Sequence, residues 1–232
     1  MNLLWFIFII FTMKNLYNKL KEETFRYSPS NSFKWSYPML YFFIFGWILF
    51  IVTLNKSLNK SIFFDVFQFA YKNVILDDIM RFSAFLLWAV ILIIALYWVY
   101  FKDRKRSIAI LASFLFIGGI AFIVSRIWGH FLIDVRPYME YHLKPLVPVS
   151  TGNGFPSDHV LLTATITSVM YLYNKNVGLL LLILTIFVTI GRVFVAAHHP
   201  LDVAGSILIV SFATLLFILL FSKLKIFTEK YL

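Results

Sequence analysis

Three short stretches of this chain carry side chains suited to chemistry on an anion. Arg192, His198 and Asp202 follow the spacing R-x5-H-x3-D, Arg136 is followed by Pro137, and Pro156, Ser157, Asp158 and His159 run consecutively between them. Arginine presents planar, bidentate donors for phosphoryl oxygens. Histidine gains or loses a proton near neutral pH. Pro-Ser-Asp-His reads as a helix start, since proline is favoured at the first helical position and Ser and Asp suit a first turn. His199-Pro200-Leu201-Asp202 has the same form, and Asn153-Gly154 permits a tight turn ahead of the first. A helix N-terminus adds free N–H groups and a positive dipole end. Two such termini with several arginines describe an anion site that contains two histidines.

Each residue alone has a plainer reading. Asp158 in a first turn is as well explained as a cap. Arg126 and Arg192, near span ends, can snorkel to headgroups. His130 and His142 read as bystanders at a membrane interface and receive no role. His199 reads as a supporting hydrogen-bonding group. The plain readings leave the joint spacing of the three stretches unexplained.

The elements that must position these residues follow from composition. Of 232 residues, 61% are hydrophobic, 19% aromatic and only 14% charged, with a mean hydropathy of +0.84. That excludes a disordered chain, a disulfide scaffold and an ordinary soluble domain. The fold class is an all-α integral membrane protein, a bundle of about six transmembrane helices with an N-terminal interfacial helix. Six apolar runs bounded by charged or Pro/Gly-containing segments mark the spans: Tyr37–Leu54, Ile79–Phe101, Ser107–Trp128, His159–Tyr173, Val177–Ala196 and Val203–Ser222. The fourth is short and holds several Thr and Ser, so it is expected inside the bundle. Ser61–Leu76 reads as a second interfacial helix. Residues 1–36 form an N-terminal interfacial helix and basic segment, and residues 37–232 the transmembrane domain. The absence of cysteine excludes thiol catalysis and thiolate metal sites.

Charge sets the orientation. The net charge is +10, but the basic residues lie in short loops between apolar runs, which argues for membrane topology and against nucleic acid. Thirteen of the 21 fall in residues 14–34, Lys102–Arg106, Lys175 and the tail from Lys223 to Lys230, which face the cytoplasm by the positive-inside rule. Both termini are then cytoplasmic. Two spans separate His159 from His198, so both histidines belong to the opposite, outer face.

The order Arg136-Pro137, Pro156-Ser157-Asp158-His159, then Arg192, His198 and Asp202 resembles the type 2 phosphatidic acid phosphatase (PAP2) superfamily, whose pattern is K-x6-R-P, P-S-G-H and S-R-x5-H-x3-D. The resemblance covers roughly Leu76–Phe221. Asp158 in place of Gly and the Leu76-Asp77-Asp78-Ile79-Met80 stretch are similar to the bacitracin-resistance branch of undecaprenyl-diphosphate phosphatases. The chain departs from the pattern at Gly129, where the first-motif Lys is expected, and at Gly191, where Ser is expected. Arg126, one helical turn from Gly129, offers a cation on the same face.

The resemblance implies a metal-independent hydrolysis of a lipid-linked phosphate, undecaprenyl diphosphate first, with no cofactor. It implies His198 as nucleophile, Asp202 as the carboxylate that fixes its tautomer, and His159 as general acid and then base. Arg136, Arg192, Ser157 and Arg126 are the expected phosphate-binding residues. The expected partners are the substrate and membrane lipids. Phosphatidic acid and phosphatidylglycerophosphate remain alternative substrates, and a non-catalytic lipid-phosphate binder or transporter is the alternative of a different class. No internal repeat of the transporter kind is visible.

Overall fold

Every expected span is helical, and the helix boundaries follow local capping chemistry. The computed structural model describes the backbone of residues 37–231 and the side chains of residues 38–220; the expected N-terminal interfacial helix lies outside them. Among the described residues the long helices are α1 (Tyr37–Thr53), α2 (Lys56–Phe67), α3 (Val74–Phe85), α4 (Leu87–Phe101), α5 (Ser107–Phe131), α6 (Asp158–Tyr173), α7 (Lys175–Phe194) and α8 (Pro200–Tyr231), with a 3-10 turn at Arg104–Arg106 and one helical turn at Pro137–Glu140. No strand occurs among the described residues. Asn55, Asn73 and Asn174 each cap the helix that follows, their side chains accepting two backbone N–H bonds apiece.

Among the described residues, three stretches are long and apolar enough to cross a membrane: Arg104–Phe131, Lys175–Phe194 and Pro200–Leu220. Two bent pairs, α1 with α2 at 119° and α3 with α4 at 55°, raise the number to five if each pair is one span. The chain is a multi-pass, all-helical membrane protein. The fourth expected span, α6, has 16 residues and rises only ~24 Å, short of the ~30 Å hydrocarbon core. It is buried nearly all round, packed among α4, α5, α7 and α8. Its Thr and Ser hydroxyls are satisfied inside the bundle. Thr163, Thr165 and Ser168 donate to carbonyls four residues back, and Thr167 meets Thr185 of α7 at 2.8 Å. By contrast α5 buries one stripe, Ile110, Ser113, Ile117, Ala121 and Ser125. Its other face, with Leu111, Leu115, Phe122 and Ile123, stays exposed, as a lipid-facing helix requires.

Two expectations are corrected. Ile79–Phe101 is not one straight helix, because it breaks at Leu86. The carbonyls that end α3 lose their helical partners there, and side chains take them: Trp88 Nε1 bonds Phe85 O at 2.8 Å and Arg192 Nη1 bonds Ala84 O at 3.1 Å. Nor is Ser61–Leu76 one helix. It divides into α2 and the start of α3, joined by a turn in which Tyr71 has φ +64° and gives its N–H to Asp77.

Candidate active site

The R-x5-H-x3-D spacing is the spacing of a helix end followed by a helix start. After α7 the chain turns through Ala196, at φ +60°, and the Arg192 carbonyl accepts the N–H groups of both Ala197 and His198 at 3.2 Å. This left-handed closing turn tucks His198 under the last turn of α7. His199 then precedes α8, Pro200 is its first residue and Asp202 its third. The Asp202 carboxylate reaches back to the His199 N–H at 2.9 Å, the acidic half of a capping box. The same oxygen, Oδ2, lies 3.2 Å from His198 Nδ1. Both groups are buried, with His198 2% and Asp202 0% exposed.

Arg136 is fixed by the proline after it. A residue before proline is held extended, and Arg136 has φ −60° and ψ 142°. Residues 131–136 alternate accordingly: Phe131, Ile133 and Val135 are exposed while Asp134 and Arg136 turn inward. The Arg136 guanidinium donates to the carbonyls of Gly152 at 3.1 Å, Ala197 at 3.0 Å and Asn153 at 3.2 Å. Its Nη1 also lies 3.1 Å from His198 Nε2. A guanidinium has no acceptor, so Nε2 accepts and the ring proton sits on Nδ1, facing Asp202. The His198 lone pair therefore points at the arginine end of the site.

α6 begins two residues later than a proline at the first helical position would place it. Ser157 is its N-cap and Pro156 lies before it, so His159 is the second helical residue. Ser157 makes no side-chain capping bond, and its Oγ is buried without a partner among the described residues. Its amide, an expected phosphate donor, instead bonds Asp202 O at 3.3 Å. His159 is half-buried and meets Trp88 edge-on at 6.2 Å.

Arg192 is 5% exposed, anchored by Ala84 O, and its Nε has no partner among the described residues. The Gly191 departure has a packing cause. A Cβ there would sit 3.0 Å from both Ser83 Cβ and Ala84 N, so α3 and α7 approach too closely for serine without a shift. Gly129 is similar: its Cβ would lie 3.0 Å from Phe155 O. Arg126 does not join the buried cluster. It forms an ion pair with Asp158 at the exposed rim, where both side chains are at least half exposed. His130 and His142 lie outside the cluster.

Sequence reading underrates three residues. Asn153, read only as a turn former, accepts the N–H groups of Asp134 at 2.9 Å and Phe155 at 3.1 Å, and donates to Gly129 O at 2.7 Å and Leu132 O at 3.1 Å. It ties the end of α5 to both site loops. Asp134, which no sequence pattern marks, meets His199 Nδ1 through Oδ2 at 2.7 Å. Trp88 has the sequence context of ordinary span filling. Asp134, His199 and Asp202 offer ligand atoms within 4.8 Å of one another and are the one group of metal-ligand type among the described residues. Their donors and acceptors already face each other, as in a proton-sharing network.

Complete burial, then the charges of Arg192 and Arg136 and then His159, hold the His198 imidazole well below the usual histidine range. The ring is thus neutral at physiological pH, with an in-plane lone pair on Nε2. Ser157 Oγ and Arg192 Nε are buried donors without acceptors in the same cluster, which is costly unless an anion takes them.

The all-helical membrane bundle thus gathers a carboxylate-backed histidine and buried cationic donors at one place. Residues 130–226 match the model of the PAP2 superfamily. It is 25% identical over 173 residues to undecaprenyl-diphosphatase BcrC of Bacillus subtilis (strain 168), covering 74% of this chain and 89% of that protein. It is 29% identical over 156 residues to a bacitracin transport permease protein BcrC of Bacillus licheniformis, covering 66% and 76%. Among solved structures, Aquifex aeolicus LpxE superposes with a TM-score of 0.57 at 19% identity, over 68% of this chain and 93% of that one. A PAP2 type phosphatidylglycerolphosphate phosphatase from Bacillus subtilis gives 0.53 at 20% identity, over 84% and 98%. Both share the fold.

Proposed function

We propose that this protein hydrolyses undecaprenyl diphosphate to undecaprenyl phosphate and inorganic phosphate through a phosphohistidine on His198. The observation that carries this reading is the His198 ring, with Nδ1 on Asp202 and Nε2 turned toward Arg136. The Nε2 lone pair attacks the terminal phosphorus, and the bond to the bridging oxygen breaks. His159 gives its proton to that leaving oxygen. The Asp202 carboxylate holds the Nδ1 proton and balances the charge that forms on the ring. His159 then takes a proton from water, the water oxygen attacks phosphorus, and the P–N electrons return to Nε2. Arg136, Arg192 and Ser157 Oγ hold the phosphoryl oxygens. Arg126, paired with Asp158, meets the outer phosphate at the rim.

The reading places the site at the outer membrane face with both termini cytoplasmic. A lipid phosphate there presents its head to the site while its tail stays in the bilayer. The relatives named undecaprenyl-diphosphatase favour the diphosphate carrier over glycerol lipids.

The test is phosphate release by purified protein in detergent with EDTA, from undecaprenyl diphosphate, phosphatidic acid and phosphatidylglycerophosphate, each beside His198→Ala. Release from the diphosphate, lost in the variant, is the expected result. Release only from another lipid keeps the chemistry and changes the substrate. Binding without release by folded protein makes this a binder or transporter.

A further inference from the structure

Beside the His198–Asp202 pair stands a second pair of the same kind. His199 is 1% exposed, and its Nδ1 donates to Asp134 Oδ2 at 2.7 Å. Its Nε2 lies 3.3 Å from the Tyr141 hydroxyl and 3.3 Å from Glu140 Oε2. Burial and then Glu140 push the Tyr141 hydroxyl up to about 12, so it stays a donor throughout the working range. The Asp134 carboxylate accepts the His199 Nδ1–H, while Nε2 faces both the Tyr141 hydroxyl and the Glu140 carboxylate. The His199 backbone N–H and the His198 ring share Asp202 Oδ2.

The two pairs rest on one rigid frame. Phe63 of α2 packs edge-on against the His199 ring at 5.6 Å, and Lys60 lies 5.2 Å over the Tyr141 ring. Asn59 of the same helix accepts the Leu201 N–H at 3.0 Å. Asp134 is itself held at its N–H by Asn153, and its carbonyl accepts the Gly154 N–H at 2.8 Å. Asp134, Tyr141, Glu140 and Asp202 with Lys60 and Arg136 are the charged or titratable groups that face this network. None contacts the reacting phosphorus in the proposed mechanism, apart from Arg136.

We infer that Asp134 and His199 form a positioning pair for the nucleophile: by anchoring the His199 ring, Asp134 fixes the 198–199 backbone and so aims His198 Nε2 at the phosphoryl group. This rests on His198 being the nucleophile. The mechanism is a lever of one peptide unit. If the His199 ring swings, its backbone N–H leaves Asp202, and the oxygen that orients His198 goes with it. Misplacement by ~1 Å can cost ~100-fold in rate.

The experiment is steady-state kinetics of the full chain on undecaprenyl diphosphate for Asp134→Ala, Asp134→Asn and His199→Ala, beside His198→Ala. The expected result is that turnover slows by roughly tenfold or more in Asp134→Ala and His199→Ala, while KM stays within about twofold. Asp134→Asn restores turnover to within about threefold of wild type, because an amide oxygen still accepts the Nδ1–H. Rescue by asparagine separates hydrogen-bonded positioning from charge and from simple loss of fold. Unchanged turnover in Asp134→Ala, or an asparagine variant no better than alanine, overturns the inference. If His198→Ala keeps its turnover, the nucleophile reading fails instead, whatever Asp134 does.

Discussion

Asp202 serves two partners with one oxygen, closing the cap of α8 and orienting the His198 ring. The two tasks separate by substitution. Asp202→Asn keeps an acceptor for the His199 N–H but loses the carboxylate, so turnover falls about 10⁴-fold, the scale for such a change in a serine-protease triad, with little change in Tm. Asp202→Ala loses the cap as well and costs about 1 kcal/mol of stability beside the lost turnover. Kinetics with thermal melts of both variants check this. The pH dependence is set by the same residues. Burial and the flanking guanidinium groups lower the His198 pKa, so the acid limb of the rate profile lies below the ordinary histidine value of about 6.5. Removing one cation makes protonation of the ring easier. Arg136→Met therefore moves the acid limb up toward that ordinary value, and a limb that stays or moves down contradicts the assignment. The sign carries to stability: below about pH 6.5 the unfolded chain binds a proton that the buried ring refuses, so stability falls as pH falls.

The α3–α7 contact explains why serine is missing before Arg192. Gly191→Ser forces the two helices apart or displaces Ser83, and overpacking of this kind costs roughly 1–3 kcal/mol. A lower Tm with turnover reduced through a displaced Arg192 is expected; a Tm equal to wild type would refute the packing account. Ala196 gives the opposite case. It holds a left-handed conformation that glycine adopts without strain, so Ala196→Gly keeps or raises Tm. The helices and the clustering of the candidate site residues are legible in the sequence because each has a local cause. Apolar runs mark spans, and the spacing of Arg192, His198 and Asp202 is dictated by a helix end and a helix start. What stays hidden depends on contacts between distant segments. The break at Leu86 lies inside an unbroken apolar run, and the freed Ala84 carbonyl is taken by Arg192, far along the chain on α7. Asp134 sits among isoleucine, valine and leucine with no pattern of its own. Its partner His199 is 65 residues away. Even the start of α6 differs in position from the proline rule, since Pro156 lies before the cap rather than after it.

At the scale of the molecule, the bundle separates a basic loop from a reactive end. α5 has 25 residues, so about 37 Å of helix lies between Arg106 and the Phe131 end that leads into Asp134 and Arg136. The basic loop and the site thus fall at opposite ends of that helix. The chain has no cysteine, so single-cysteine labelling reads the topology directly. In intact cells, Lys144→Cys reacts with an impermeant maleimide, and Lys105→Cys reacts only after permeabilisation; the reverse pattern would turn the protein over in the membrane. The account as a whole turns on one covalent bond. The most direct measurement is rapid quenching of the purified protein with undecaprenyl diphosphate labelled in its terminal phosphate, followed by the acid and base lability of the label on the protein. The account predicts an acid-labile, base-stable phosphoprotein that forms before free phosphate appears and is absent in His198→Ala. Phosphate release at the wild-type rate by His198→Ala, or turnover by wild-type protein without any labelled intermediate under single-turnover conditions, would contradict it.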